Sequence, residues 1–241
     1  MVELIMVTYN RLDYTKKAVR ALLKQTQPFR LTIWDNGSRK DTVKYLKRLN
    51  DKRIKIILND KNYGLSHAVD CVFSDSSADY IGKVDNDTLV PPKWLEKCVE
   101  SHKKTDLGFI GGFHFRKEDM KGITPKITEI NGVKVWEKSH IGGCSFVIKR
   151  SDYQAYGKIG GEGIWGLTDY QWKMYKNGKT NGYLYPLIWV EHMEDSRSRH
   201  CINNKEHNLY KSRVRNLSIN DATSVFIEQS NIYLRQNATI N

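Results

Sequence analysis

The chain has 241 residues, a formal net charge of +12 and a hydrophobic fraction of 39%. That suits one large domain, or a domain with an appendage, and leaves enough apolar residues for a core. No apolar run approaches the roughly 18–20 residues of a membrane-spanning helix, and the charge excess points to a polyanionic partner: nucleic acid, an acidic membrane surface or a phosphorylated ligand.

Val2 to Val7 reads as a strand that begins at once, with no basic n-region and no cleavage site. A soluble, cytoplasmic protein is the expectation, with a virus-infected cell or a membrane periphery as variants of it. Cys71, Cys98, Cys144 and Cys201 are far apart and form no C-x-x-C, which argues for reduced thiols rather than a zinc knuckle. Ala18, Val19, Leu22 and Leu23 then share a helix face. Leu31 to Trp34 is the second strand, and Val43, Leu46 and Leu49 mark the next helix. Ile54 to Leu58 is the third strand, Leu65 to Phe73 a helix, and Tyr80 to Val84 the fourth strand. Strands alternating with helices predict βαβ units, a parallel sheet and helices on both faces.

The pattern changes after the first hundred residues. Leu107 to Gly112 is a candidate strand, and Lys126 to Lys138 alternates around Asn131-Gly132, a strong hairpin signal. Cys144 to Ile148 is an apolar strand, Gly160 to Gly163 a glycine-rich stretch, and Asp169 to Lys176 a short helix stopped by Gly178. Tyr183 to Val190 reads as a strand ending at Glu191-His192. From about Asp195 onward the chain reads as helical and basic.

Four polar groups fall at predicted strand ends: Thr8-Tyr9-Asn10-Arg11, Asp35-Asn36-Gly37-Ser38, Asp85-Asn86-Asp87 and Glu191-His192. Any one alone is also an ordinary turn; Asp35 before Asn-Gly-Ser has good turn chemistry. Together they match what a nucleotide site at the carboxyl edge of a parallel sheet requires. Asp85 and Asp87, two apart on an extended segment, can point to the same side. Paired carboxylates can hold Mg²⁺ or Mn²⁺, and such a cation neutralises a diphosphate.

Here the chain resembles family-2 glycosyltransferases of the GT-A, nucleotide-diphospho-sugar transferase fold. The likeness covers roughly residues 2 to 195. It rests on Val7-Thr8-Tyr9-Asn10-Arg11, Trp34-Asp35-Asn36-Gly37-Ser38, Asn62-Tyr63-Gly64-Leu65, Val84-Asp85-Asn86-Asp87-Thr88, Gly142-Gly143-Cys144-Ser145, Asp169 and His192. It implies an α/β, Rossmann-like, mostly parallel sheet flanked by helices. A smaller acceptor-side β-hairpin region and a helical C-terminal tail would complete it. Residues 1–105 would bind the nucleotide sugar, 106–195 would carry the acceptor and catalytic part, and 196–241 would be a basic helical extension.

The resemblance also implies roles. Thr8 and Tyr9 would line the base pocket, and Asp35 would hydrogen-bond the base or ribose. Asn10, Arg11, Asn62, Gly64, Asn86 and Gly143 would complete the nucleotide-sugar site. Asp85 would lie near the ribose and metal, Asp87 would bind the metal, and His192 would complete its shell. Asp169 sits where these enzymes carry their base. The family's usual Glu-Asp pair is here Thr168-Asp169, which leaves Glu162 as a rival base. A single base opposite the leaving group means in-line displacement and inversion.

The expected reaction is therefore metal-dependent transfer from a nucleotide-diphosphate sugar, a UDP-sugar by family custom, to a glycan hydroxyl. A hydroxylated DNA base is the alternative acceptor. A nucleotidyltransferase would need a glycine-rich loop after the first strand, which Thr8 to Arg11 lacks. A non-catalytic nucleic-acid-binding module has the charge alone behind it and would gain nothing from carboxylates in its cleft. Arg197, Arg199, Lys205, Lys211, Arg213 and Arg215, opposed only by Glu206, form a basic segment expected beside the acceptor mouth.

Overall fold

The computed structural model describes residues 1–161, 166–202, 227 and 230–234. The first half is the expected alternation: β1 (Val2–Thr8), α1 (Leu12–Leu22), β2 (Phe29–Asp35), α2 (Lys40–Lys47), β3 (Ile54–Leu58), α3 (Leu65–Asp75) and β4 (Tyr80–Val84). Strand β1 is buried almost throughout, and its alternating side chains divide between two cores. Leu4 and Met6 join one, with Ala18, Val19 and Leu22 of α1 and Leu31 and Ile33 of β2. Ile5 joins the other, with Ala68, Val69, Val72 and Phe73 of α3. A period of two along the strand thus sends successive residues to opposite layers, and helices cover both faces, as a parallel sheet requires.

The second half adds β5 (Thr88–Leu89), α4 (Trp94–Lys104), β6 (Ile110–Gly111), β7 (Ile127–Ile130), β8 (Val133–Lys138) and β9 (Ser145–Lys149). Helices α5 (Arg150–Tyr156) and α6 (Leu167–Lys176) and strands β10 (Asn181–Leu184) and β11 (Glu191–His192) follow. One nine-stranded sheet runs β3-β2-β1-β4-β9-β6-β10-β8-β7, and β5 pairs with β11 in a separate ribbon. Strands β3, β2, β1 and β4 are parallel. Strand β9 lies antiparallel to both β4 and β6, and joins the parallel half to the hairpin side. The hairpin turn is Asn131-Gly132, both with positive φ (49° and 76°), the backbone of a two-residue turn suited to twisted strands.

Two readings of the sequence are corrected. The run from Tyr183 to Val190 is not one strand: β10 stops at Leu184, before Tyr185-Pro186, whose peptide is cis. Proline cannot donate a ladder hydrogen bond, so β10 ends there; pairing resumes as a single bridge between Trp189 and Phe113 and then at β11. Residues 195–202 form turns rather than a helix, because Asp195 accepts hydrogen bonds from the following Arg197 and folds the chain back locally. Lys205, Glu206, Lys211, Arg213 and Arg215 lie outside the described residues. Among the described residues, no helix is long and apolar enough to cross a membrane.

Candidate active site

The parallel strands β1, β2 and β4 end on one edge, and their loops interlock there. Thr8 lies in register with Asp35 across β1 and β2. The Asn10 N–H donates to Ser38 Oγ (2.7 Å), and Asn10 Oδ1 accepts from the Arg39 N–H (2.8 Å), so the loops after β1 and β2 brace each other. Asn10 and Arg11 both take left-handed backbone conformations, each with φ 59°. Asp35 is fully buried; its Oδ2 accepts from the Ser38 N–H (3.0 Å), while Oδ1 has no hydrogen-bond partner. Asn86 is buried too and donates to Thr8 Oγ1 and Thr15 Oγ1 at 3.2 and 3.1 Å, locking the loop after β4 to β1 and α1. Tyr9 is exposed. Asn62 Oδ1 accepts from the Gly64 N–H (2.8 Å) at the start of α3.

The loop after β4 also meets the C-terminal part of the chain. Thr88 pairs with His192 across the β5–β11 ribbon, and the Met193 N–H donates to the Asp87 carbonyl (2.8 Å). This brings Asp87, His192 and Glu194 together, with one potential ligand atom from each lying within 4.8 Å of the others. His192 Nε2 is 3.6 Å from Asp87 Oδ2. Asp87 Oδ1 is buried with no hydrogen-bond partner. Two carboxylates and an imidazole form a donor set suited to a divalent cation such as Mn²⁺, and an orphaned carboxylate oxygen leaves a lone pair to give. The residues therefore fit the cation that the sequence resemblance implies.

Glu194 is the residue that sequence reading missed. The signal was present: His192-Met193-Glu194 places two ligating types two residues apart, with the apolar Met193 between them sent into the core. Asp85, in contrast, is not part of the three-residue cluster. Its carboxylate pairs with the Nζ of Lys83, and its N–H donates to the Cys144 carbonyl (2.8 Å). Desolvation lifts the Asp85 carboxyl above the ordinary range, the Lys83 ammonium opposes that rise, and the Asp87 charge adds to it. Lys83 itself is 1% exposed, in a central strand of the sheet.

Beside the cluster opens a cavity of about 370 Å³, whose walls include Lys83, Asp85, Gly143, Leu167, His192 and Tyr233. Gly142 packs so closely on the half-buried His114 ring that any side chain there would collide with it. Burial pushes the His114 imidazole down to about 3. Tyr233 donates to the His140 carbonyl (2.6 Å) and stacks on Phe115, so the last described turn of chain forms part of the wall. Asp169 lies in the first turn of α6, exposed, two residues after the cavity-lining Leu167. Glu162 lies outside the described residues. Arg197 does not belong to a free basic face: it forms paired bonds to Asp119 (2.6 and 3.0 Å) and to Asp195 (2.9 and 2.7 Å), which neutralise it.

The profile of the family described as Glycosyl transferase family 2 matches residues 3–157. Among curated proteins, the chain is similar to an "Uncharacterized glycosyltransferase" of Haemophilus influenzae, 29% identical over 109 residues, or 44% of this chain and 34% of that protein. It is similar also to "Uncharacterized glycosyltransferase EpsJ" of Bacillus subtilis, 28% identical over 139 residues, or 55% and 40% of the two chains. The match thus spans between a third and half of each relative's length. Among solved structures, it resembles a mannosyltransferase of Pyrobaculum calidifontis in complex with GDP-Man and Mn²⁺, at a TM-score of 0.64 and 13% identity, over 96% of this chain and 69% of that one. It also resembles GalNAc-T7 with UDP, GalNAc and Mn²⁺, at a TM-score of 0.62 and 14% identity, over 99% and 57%. At such identities these two likenesses speak for the fold.

Proposed function

Because the chain belongs to glycosyl transferase family 2, we propose that it transfers a sugar from a nucleotide-diphosphate donor, a UDP-sugar, to a hydroxyl of a glycan, with a divalent cation and with inversion. The observation that carries this reading is the cluster of Asp87, His192 and Glu194 beside a 370 Å³ cavity at the carboxyl edge of the sheet. A divalent cation there supplies positive charge against the leaving diphosphate.

The chain's own residues do the rest. Thr8, Tyr9 and Asp35 hold the base and ribose, and the buried, unpartnered Asp35 Oδ1 is an acceptor suited to a nucleoside N–H or hydroxyl. Asn10, Arg11, Asn62, Gly64, Asn86 and Gly143 shape the rest of the donor site. Asp85 lies toward the ribose and cation, and Lys83 keeps its carboxylate oriented. Asp169 takes the proton from the acceptor hydroxyl as it attacks the anomeric carbon from the side opposite the diphosphate. A single base opposite the leaving group corresponds to in-line displacement and inversion. A hydroxylated DNA base as acceptor keeps only the +12 charge as its warrant.

A panel of UDP- and GDP-sugars tested for transfer and hydrolysis, with Mn²⁺ or with EDTA, tests the reading. Mn²⁺-dependent turnover of one donor is expected, abolished by Asp87→Ala and by Glu194→Ala with the fold intact. Full transfer in excess EDTA would overturn it.

A further inference from the structure

The guanidinium of Arg11 lies between two of the three cluster residues. Its Nη1 is 2.9 Å from Asp87 Oδ2, and its Nη2 is 2.5 Å from Glu194 Oε1. Both carboxylates are under a tenth exposed, whereas the Arg11 side chain is 35% exposed. Two buried carboxylates this close repel each other unless a cation stands between them. Arg11 therefore holds them at ligand spacing. One of the two oxygens it engages also faces His192: Asp87 Oδ2 is 3.6 Å from Nε2. The guanidinium thus stands on the side of Asp87 that faces the imidazole, and a metal ion held jointly by Asp87, His192 and Glu194 competes with it for that position.

We propose that Arg11 is a built-in placeholder cation: it occupies the Asp87–Glu194 pair while the site holds no metal, leaves the pair when the metal enters, and then pairs with the donor's diphosphate. The inference rests on the proposed reading of the cluster as a metal site. The backbone favours a movement of the side chain alone. Arg11 is pinned at the head of α1, where its carbonyl accepts from the Thr15 N–H (3.0 Å), and Asn10 before it is tied to Ser38 and Arg39. The exposed part of the side chain gives the guanidinium a route out of the pair without unfolding its neighbours. Once displaced, it remains a bidentate donor beside the metal, suited to phosphate oxygens.

The consequence is thermodynamic coupling. The free protein binds metal weakly, because Arg11 must first be detached from two buried carboxylates. A diphosphate that accepts the guanidinium removes that cost and raises metal affinity, and by linkage the metal raises diphosphate affinity by the same factor.

Titrating Mn²⁺ calorimetrically into the native protein, Arg11→Gln, Arg11→Lys and Asp87→Ala, alone and in the presence of UDP or GDP, tests this. Each titration is paired with a thermal melt. Arg11→Gln should bind Mn²⁺ alone about tenfold or more tightly than the native protein, and its melting temperature should rise more on adding Mn²⁺. The enhancement of Mn²⁺ affinity by the nucleotide should shrink in Arg11→Gln and be largely kept in Arg11→Lys, which also guards against a folding defect. Equal or weaker Mn²⁺ binding by Arg11→Gln, with an undiminished nucleotide effect, would overturn the placeholder role alone. Mn²⁺ binding that survives Asp87→Ala would overturn the metal-site reading itself, and the inference with it.

Discussion

Asp70 of α3 holds Gly160: its Oδ2 accepts from the Gly160 N–H and its Oδ1 from the Ile159 N–H, both at 2.8 Å. The same carboxylate accepts from the Tyr153 hydroxyl (2.9 Å). One buried side chain thereby anchors the start of the segment that leads into α6 and Asp169.

Asp70→Ala leaves the Ile159 and Gly160 N–H groups without their acceptor, while the Tyr153 hydroxyl keeps Ser74 Oγ at 3.0 Å. At roughly 1–3 kcal/mol for an unsatisfied buried donor, partly relieved by water, a loss of about 2–4 kcal/mol is expected. Asp70→Asn should cost less, because one oxygen still accepts. Urea unfolding measures both. A change below about 0.5 kcal/mol in Asp70→Ala would show that the segment is held by other means.

For the proposed base, Asp169→Asn should slow transfer by about 10²–10⁴-fold while donor affinity stays the same. Steady-state kinetics with the donor found by the panel, plus binding of that donor by calorimetry, separates the two quantities. Should Glu162→Gln behave this way and Asp169→Asn remain active, the base lies in the glycine-rich stretch instead.

His102 carries the third expectation. It is buried in α4, and its Nε2–H donates to the Val147 carbonyl (3.0 Å) of β9. Desolvation, only partly opposed by that hydrogen bond, pushes the imidazole down to about 4 from an ordinary 6.5. In the unfolded chain the ring protonates as pH falls below about 6.5, while in the folded chain it stays neutral until about 4. The unfolded state thus binds more protons across that window, and stability falls with falling pH at up to ~1.4 kcal/mol per unit for this one group. Above 6.5 the contribution is constant. Unfolding free energies between pH 4.5 and 7 should show this slope, and His102→Gln should flatten it. An unchanged slope in the variant would mean that the proton is taken up elsewhere.

Much of this architecture was legible because the first half obeys local rules. The Leu4-Ile5-Met6-Val7 apolar run, the apolar stripe of Ala18, Val19 and Leu22 and the Asn131-Gly132 turn each specify their own conformation. The polar residues at the ends of β1, β2 and β4 were legible for the same reason: in a parallel sheet, strand ends share an edge. Lys83 and Arg197 were not, and Glu194 showed only its spacing from His192. Each is defined by a partner distant in sequence: Arg11 for Glu194, the enclosing strands for Lys83, and Asp119 for Arg197. Charge alone reads as solvated surface until such a partner is known. The break at Pro186 was visible as a residue type but was outweighed by the apolar run around it.

The β5–β11 ribbon has a consequence for how the protein is made. Asp87 leaves the ribosome early, yet its neighbours in the cluster, His192 and Glu194, follow only after both α5 and α6. A nascent chain can therefore pair β1 to β4 while the carboxylate of Asp87 has neither His192 nor Glu194 beside it. The proposed cation site is complete only when β11 docks on β5, so a chain interrupted before residue 191 would carry all nine strands of the sheet but not the cluster.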